Sequence, residues 1–164
     1  MRDSSQKRSI ALACVVAVAL ATMAGCKSTS STPAPEAAKP APASAAPAAI
    51  TQLVVLSGAN EVPPVNTQAT ATGSVTVNPD HSVSARIVAT GMTATAAHIH
   101  MGAAGTNGPV IVPFTKTLDN TFIADGTPRM TPEQYAAFRA GNTYVNVHSD
   151  AHKGGEIRAQ LKGN

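Results

Sequence analysis

Cysteine is almost absent from this sequence. The 164 residues include two, Cys14 and Cys26, and none follows residue 26. Residues 27–164 therefore form no disulfide among themselves, hold no metal through thiolates and offer no cysteine nucleophile. Any domain in this part of the chain must be stabilised by its packed core rather than by covalent cross-links.

Strong charge of either sign is also missing. The chain has 12 basic and nine acidic residues, but Arg2, Lys7, Arg8 and Asp3 all lie near the N-terminus. The remaining nine basic and eight acidic residues almost balance, and they form no basic run. Because this is not the electrostatic pattern of a nucleic-acid-binding protein, no nucleic-acid partner is expected.

The longest apolar run, at residues 10–24, is short for a membrane-spanning helix. Such a helix needs roughly 20 apolar residues, and a positive segment followed by a run of about 15 is typical of a secretory signal. The stretch ATMAGC that ends at Cys26 resembles a bacterial lipobox. We therefore expect residues 1–25 to be a lipoprotein signal peptide and Cys26 to be acylated.

Residues 26–49 are rich in alanine, proline, serine and threonine and contain little to bury. Prolines favour extended, semi-rigid chain, so this segment is predicted to be a tether. The folded domain is then expected at residues 50–164, which is long enough for one modest core. The lipid would anchor this domain to a membrane, on the periplasmic side or at the cell surface.

Within residues 50–164, short apolar or alternating segments are separated by glycine, proline and polar turn residues. Val83, Ala85, Ile87 and Ala89 alternate with other residues, as expected for a strand with one buried face. Regular spacing of this kind predicts an all-β antiparallel sandwich or barrel. Eight strands are expected, at residues 51–56, 70–77, 83–89, 96–101, 110–114, 121–124, 143–148 and 156–161.

One short helix is predicted between two of these strands. Thr131 and Gln134 have the spacing of a capping box, and Pro132 suits the first helical turn. Gly141 is placed where a helix commonly ends. Tyr135 and Phe138 would share the face that packs on the sheet.

The histidines carry the most chemical information. His98 and His100 lie two apart on a predicted strand, so they project to the same side, opposite the apolar Ile99. His148 ends another strand and also lies opposite the core face. If the two strands are neighbours, three imidazoles converge and suit copper or zinc. Binding needs neutral imidazoles, so metal affinity is expected to fall below pH about 6.5.

A fourth ligand is expected from a nearby histidine or carboxylate, and four residues are candidates: His152, Asp150, Glu61 and Glu156. Glu61 is equally a candidate ion-pair partner for Arg158. The alternative is that the strand histidines face solvent separately and bind no metal. His81, in a turn, is expected to be a surface residue.

Five blocks of the sequence resemble the CHRD domain, named for its repeats in chordin. They are LSGANEVPP (56–64), AHIHMG (97–102), NGP (107–109), YVNVH (144–148) and GGEIR (154–158). The resemblance implies an extracellular β-sandwich, and in chordin such domains bind secreted growth factors. It brings no enzyme activity and no agreed ligand for the microbial members.

The H-x-H strand and a later strand ending in histidine are also similar to the copper/zinc superoxide dismutases. Together the two resemblances imply a Greek-key β-sandwich of immunoglobulin-like or dismutase-like type. His98, His100, His148 and His152 are too few for the dismutase copper and zinc sites together. This similarity therefore implies at most a single-metal site and no dismutase activity.

The expected function is a lipid-anchored, non-enzymatic binding domain of the cell envelope with one copper or zinc site. The alternatives are a metal-free module that binds an envelope or extracellular protein and, less in keeping with the residues, a metal-dependent redox or hydrolytic enzyme.

Overall fold

The computed structural model describes residues 47–163, so the expected signal peptide (1–25) and nearly all of the expected tether (26–49) lie outside the described residues. These residues form nine strands, one α-helix and a 3-10 turn at Gly58–Asn60. The strands are β1 Ile50–Ser57, β2 Thr70–Val77, β3 Ser82–Thr90, β4 Ala94–Met101, β5 Val110–Pro113, β6 Thr115–Leu118, β7 Thr121–Arg129, β8 Thr143–Ser149 and β9 Ile157–Leu161. Within residues 47–163, no helix is long and apolar enough to cross a membrane.

The expected all-β antiparallel sandwich with one short helix is confirmed. All eight predicted strands are present, and seven of them begin and end within two residues of the expected positions. The strand β6 was not predicted, because its sequence TKTL is exposed at every position and shows no apolar alternation. Residue Gly126 (φ 92°) lies inside β7, which runs five residues beyond its predicted end.

The nine strands form one sheet with the order β5-β4-β8-β9-β1-β2-β3-β7-β6, and every pair is antiparallel. The join between β9 and β1 is narrow, with the single register pair Ser57–Arg158. Two hydrogen-bonded contacts between Gln52 and Lys162 extend it. The sheet therefore has two halves that fold over each other at this join.

The two edges of the sheet also approach each other. The edge strands β5 and β6 are consecutive in sequence, and only Phe114 separates them. The Phe114 N–H donates to the Ala97 carbonyl (3.0 Å), and Lys116 Nζ donates to the Ala94 carbonyl (2.8 Å). The result is a nearly closed sandwich with its core between the two halves.

Alternation along the strands fills this core. Val83, Ala85, Ile87 and Ala89 of β3 are all buried, as the sequence predicts. From the other half, Ile99 and Val145 are fully buried against them in the same cluster. Side chains at every second position of a strand share a face, so this regular alternation needs no cross-link to define the interior.

The helix α1 spans Pro132–Arg139 and has the predicted capping box. Thr131 Oγ1 accepts a hydrogen bond from the Gln134 N–H (3.2 Å), and Gln134 Oε1 accepts one from the Thr131 N–H (2.9 Å). Phe138 is buried, and Gly141 has the positive φ (74°) that ends the helix.

His81, expected to be a surface residue in a turn, is partly exposed and packs against the helix. Its ring stacks on Tyr135 of α1 with 4.3 Å between ring centroids and 15° between ring planes. Its backbone has φ 68°, and its carbonyl accepts a hydrogen bond from the Met130 N–H (3.0 Å). The β2–β3 turn is therefore packed against the start of the helix.

We predict that Thr131→Ala lowers the free energy of unfolding by about 1 kcal/mol, because the Gln134 N–H loses its cap. Urea unfolding followed by circular dichroism measures the change. The control is Thr117→Ala, at an exposed strand threonine outside any helix cap. Equal effects of the two substitutions would contradict the capping assignment.

Candidate metal centre

The strands β4 and β8 are direct neighbours, which satisfies the condition for the histidines to meet. Their register pairs His98 with Asn146 and Ala96 with His148. Val145 and Val147 are fully buried in the core. His148, two residues from Asn146, therefore lies on the opposite face of the sheet, together with His98 and His100.

This opposite face is covered rather than open to solvent. The segment between β4 and β5 lies over it, and Gly108 contacts both His100 and Tyr144. The turn between β8 and β9 places the Lys153 carbonyl against His148. His100 is 8% and His148 9% exposed, whereas His98 is partly exposed. The histidines therefore line a partly closed site.

The structure brings His98, His100 and His148 together. One imidazole nitrogen from each of the three residues lies within 4.8 Å of the nitrogens from the other two. The shortest contact joins His98 Nδ1 to His148 Nε2, at 3.1 Å. Two nitrogens that each lie about 2.1 Å from one ion are at most about 4.2 Å apart, so the more distant nitrogens of the group must move closer to bind a common ion.

Two backbone carbonyls determine which nitrogen of His100 and of His148 carries the hydrogen. His100 Nδ1 lies 2.9 Å from the Gly108 carbonyl, and His148 Nδ1 lies 2.9 Å from the Lys153 carbonyl. A carbonyl only accepts, so each Nδ1 must carry the hydrogen, and each Nε2 then presents a lone pair. His100 Nε2 is buried and has no hydrogen-bond partner in residues 47–163. Carbonyls of this kind commonly orient metal-binding histidines.

The local electrostatics favour neutral imidazoles. Burial, together with the neighbouring His148 and His100, lowers the pKa of His98 to about 4. Burial also lowers the pKa of His148, against the opposing effect of the Lys153 carbonyl. His98 and His148 thus remain neutral below the ordinary histidine pKa. We therefore expect proton competition at lower pH than the sequence alone suggests.

The candidate fourth ligands are not part of this group. Among the described residues, the group of possible ligand atoms within 4.8 Å of one another consists of the three histidines. It does not include His152, Asp150, Glu61 or Glu156. Glu156 instead accepts hydrogen bonds from Thr67 Oγ1 (2.7 Å) and from Ser149 Oγ. Asp150 is exposed, and the His152 backbone N–H is bound to Ser149 Oγ at 3.2 Å.

Glu61 is a buried carboxylate beside the site rather than a member of the histidine group. It is 5% exposed, and burial raises its pKa, while Arg158, the Val62 N–H and Asn146 act in the opposite direction. The charge of Arg158 thus acts on the Glu61 carboxylate, although the two side chains form no direct salt bridge among the described residues. A Cβ on Gly155 (φ 128°) would lie 2.5 Å from Glu61 Oε1, so only glycine fits there.

Sequence reasoning missed an aromatic and cationic stack behind His100. The Tyr144 ring lies 4.8 Å from the His100 ring at 7°, and Arg158 Cζ lies 3.3 Å from the Tyr144 ring centroid. Arg158 is only 1% exposed. Tyr144 lies four residues before His148 on the same strand. Because side chains alternate between faces, the sequence could have placed Tyr144 on the face of the histidines.

A comparison with protein-family models identifies one family. The CHRD domain model matches residues 53–161, which contain the whole candidate site. The chain belongs to the CHRD domain family. Comparisons with curated proteins and with solved structures gave no match.

We predict that the free energy of unfolding of the metal-free protein falls as the pH decreases from about 6.5 to about 4. In this window the unfolded chain binds a proton at His98, whose folded pKa is about 4. Urea unfolding across this pH range measures the slope, which His98→Gln should flatten. The control is His81→Gln, outside the cluster, and equal flattening by both variants would contradict this prediction.

Proposed function

We propose that this CHRD domain is a binding domain that holds one Cu²⁺ or Zn²⁺ ion through His98, His100 and His148. The observation that carries the proposal is the fixed orientation of two buried imidazoles. Their Nδ1 atoms face carbonyls, so the lone pair of each neutral imidazole is at Nε2. A set of three imidazoles suits either metal.

The distances support binding to a common ion. Two nitrogens that each lie about 2.1 Å from a tetrahedral zinc are about 3.4 Å apart. The 3.1 Å between His98 Nδ1 and His148 Nε2 is close to this value. Because His98 is the partly exposed member, its ring is the one with the most freedom to adjust.

Binding rather than catalysis is favoured by the limited access to the site. His100 and His148 are about nine-tenths buried, and the Gly108 and Lys153 segments lie against them. An ion bound there would be accessible to solvent mainly from the side of His98. We therefore propose a non-enzymatic role, in which the domain holds a metal ion at the cell envelope.

We predict that the purified protein binds one Zn²⁺ or Cu²⁺ and that His100→Ala or His148→Ala weakens binding by at least about tenfold, since each removes a ligand. Calorimetry with a competing chelator measures the affinity, and elemental analysis measures the stoichiometry. The control is His81→Ala, which removes a histidine from a turn elsewhere in the fold. If the wild type binds no metal, the metal-free protein-interaction role becomes the better interpretation.

We also propose that the domain is exported and held at a membrane by lipid on Cys26, on the periplasmic or cell-surface side. The lipobox-like stretch ending at Cys26 supports the anchor, and the proline-rich residues 26–49 support a spacer. A spacer of this composition would keep the domain away from the lipid headgroups.

We predict that the wild-type protein partitions with membranes in bacterial cells and that Cys26→Ser releases it or leaves it unprocessed, because the acylated thiol is lost. Membrane fractionation and mass spectrometry of the N-terminus measure the outcome. Cys14→Ser is the matched control, since Cys14 lies inside the apolar run. An unmodified N-terminus beyond residue 26 would contradict the anchor.

A further inference from the structure

Asn146 lies at the centre of the polar face that carries the histidines. It is paired with His98 on β4 and with Arg158 on β9, and it is 1% exposed. Its Oδ1 atom is 3.0 Å from His148 Nε2. His148 Nε2 is also the atom that faces His98 Nδ1.

The contact between Asn146 and His148 brings two lone pairs together. The single N–H of a neutral His148 is at Nδ1, where the Lys153 carbonyl accepts it. His148 Nε2 is therefore an acceptor, and an amide oxygen is an acceptor as well. Two buried acceptors at this distance repel each other unless a proton or a metal ion lies between them and binds both.

Glu61 lies on the amide-nitrogen side of Asn146. The position that a Gly155 Cβ would occupy is 2.6 Å from Asn146 Nδ2 and 2.5 Å from Glu61 Oε1. The amide nitrogen and the carboxylate therefore both lie beside Gly155. A carboxylate accepts hydrogen bonds only, so it favours the amide nitrogen on its own side and the amide oxygen on the side of His148.

We propose that Asn146 Oδ1 is the fourth ligand of the ion bound by His98, His100 and His148, and that Glu61 is the positioning residue that orients it. This inference rests on the proposed metal-binding function. A set of three imidazoles and one amide oxygen is harder than an all-imidazole set, so the site should hold divalent Zn²⁺ or Cu²⁺ in preference to Cu⁺.

The test is binding of Co²⁺ and Zn²⁺ to the whole protein, with Co²⁺ visible spectra recorded at saturation. Asn146→Leu keeps similar volume and removes the oxygen, and we expect at least about tenfold weaker Zn²⁺ binding and a changed Co²⁺ spectrum. Asn146→Asp restores an oxygen ligand and should restore the affinity. Thermal unfolding without metal checks that each variant is folded.

Glu61→Gln tests the positioning role. We expect it to weaken Zn²⁺ binding by about threefold to tenfold in the wild-type background and to have little effect in the Asn146→Leu background, because Glu61 acts through Asn146. The matched control is Glu156→Gln, which neutralises another buried carboxylate, bound to Thr67 and Ser149. It should leave the affinity unchanged.

The possible failures are distinguishable. If the wild type binds metal and His100→Ala abolishes binding, but Asn146→Leu keeps both the affinity and the Co²⁺ spectrum, the fourth ligand is wrong and the proposed function stands. If Glu61→Gln weakens binding equally in both backgrounds, Glu61 does not position Asn146. If the wild type binds neither metal, both proposals are wrong.

Discussion

The arrangement of the site depends on one constraint, the burial of β8 on both of its faces. All seven residues of Thr143–Ser149 are buried. Val145 and Val147 face the core, but Tyr144, Asn146 and His148 face a layer formed by loops. Buried polar groups must find partners within the protein, because unsatisfied ones are costly. The Gly108 N–H donates to the Tyr144 hydroxyl, and the Lys153 carbonyl accepts from His148 Nδ1, so the covering loops supply partners for the polar face of β8.

Arg158 is the charged centre of this layer. Its guanidinium is buried against the Tyr144 ring and interacts electrostatically with Glu61. It also donates hydrogen bonds to Asn107 Oδ1 (3.3 Å), the Ala103 carbonyl (3.3 Å) and Gln160 Oε1 (3.2 Å). A buried cation is tolerated only when such partners surround it. Meeting that requirement draws the segment between β4 and β5 and the loop of Glu61 onto β8 and β9, beside the histidines.

Local sequence patterns predicted those elements whose cause is local. The capping box of α1 depends on residues three apart, and the burial of β3 depends on period-two alternation, so both could be predicted from the sequence. The strand β6 depends on pairing with β7 and has no apolar face of its own, so it was not. The stacking of His81 on Tyr135 could not be predicted for a related reason, because the two residues lie 54 positions apart in the chain.

For the candidate site, the sequence by itself determined which residues lie on which face. His98, His100 and His148 alternate with core residues, and that phase places them opposite the core whatever the neighbouring strands are. Only the tertiary structure decided that β4 pairs with β8 and that loops cover the polar face. It also decided that Asn146, rather than any of the four candidates from the sequence, stands next to His148 Nε2. The alternation of residues along a strand determines the face on which a side chain lies. Which residues it contacts there is determined by packing between segments that are distant in the sequence.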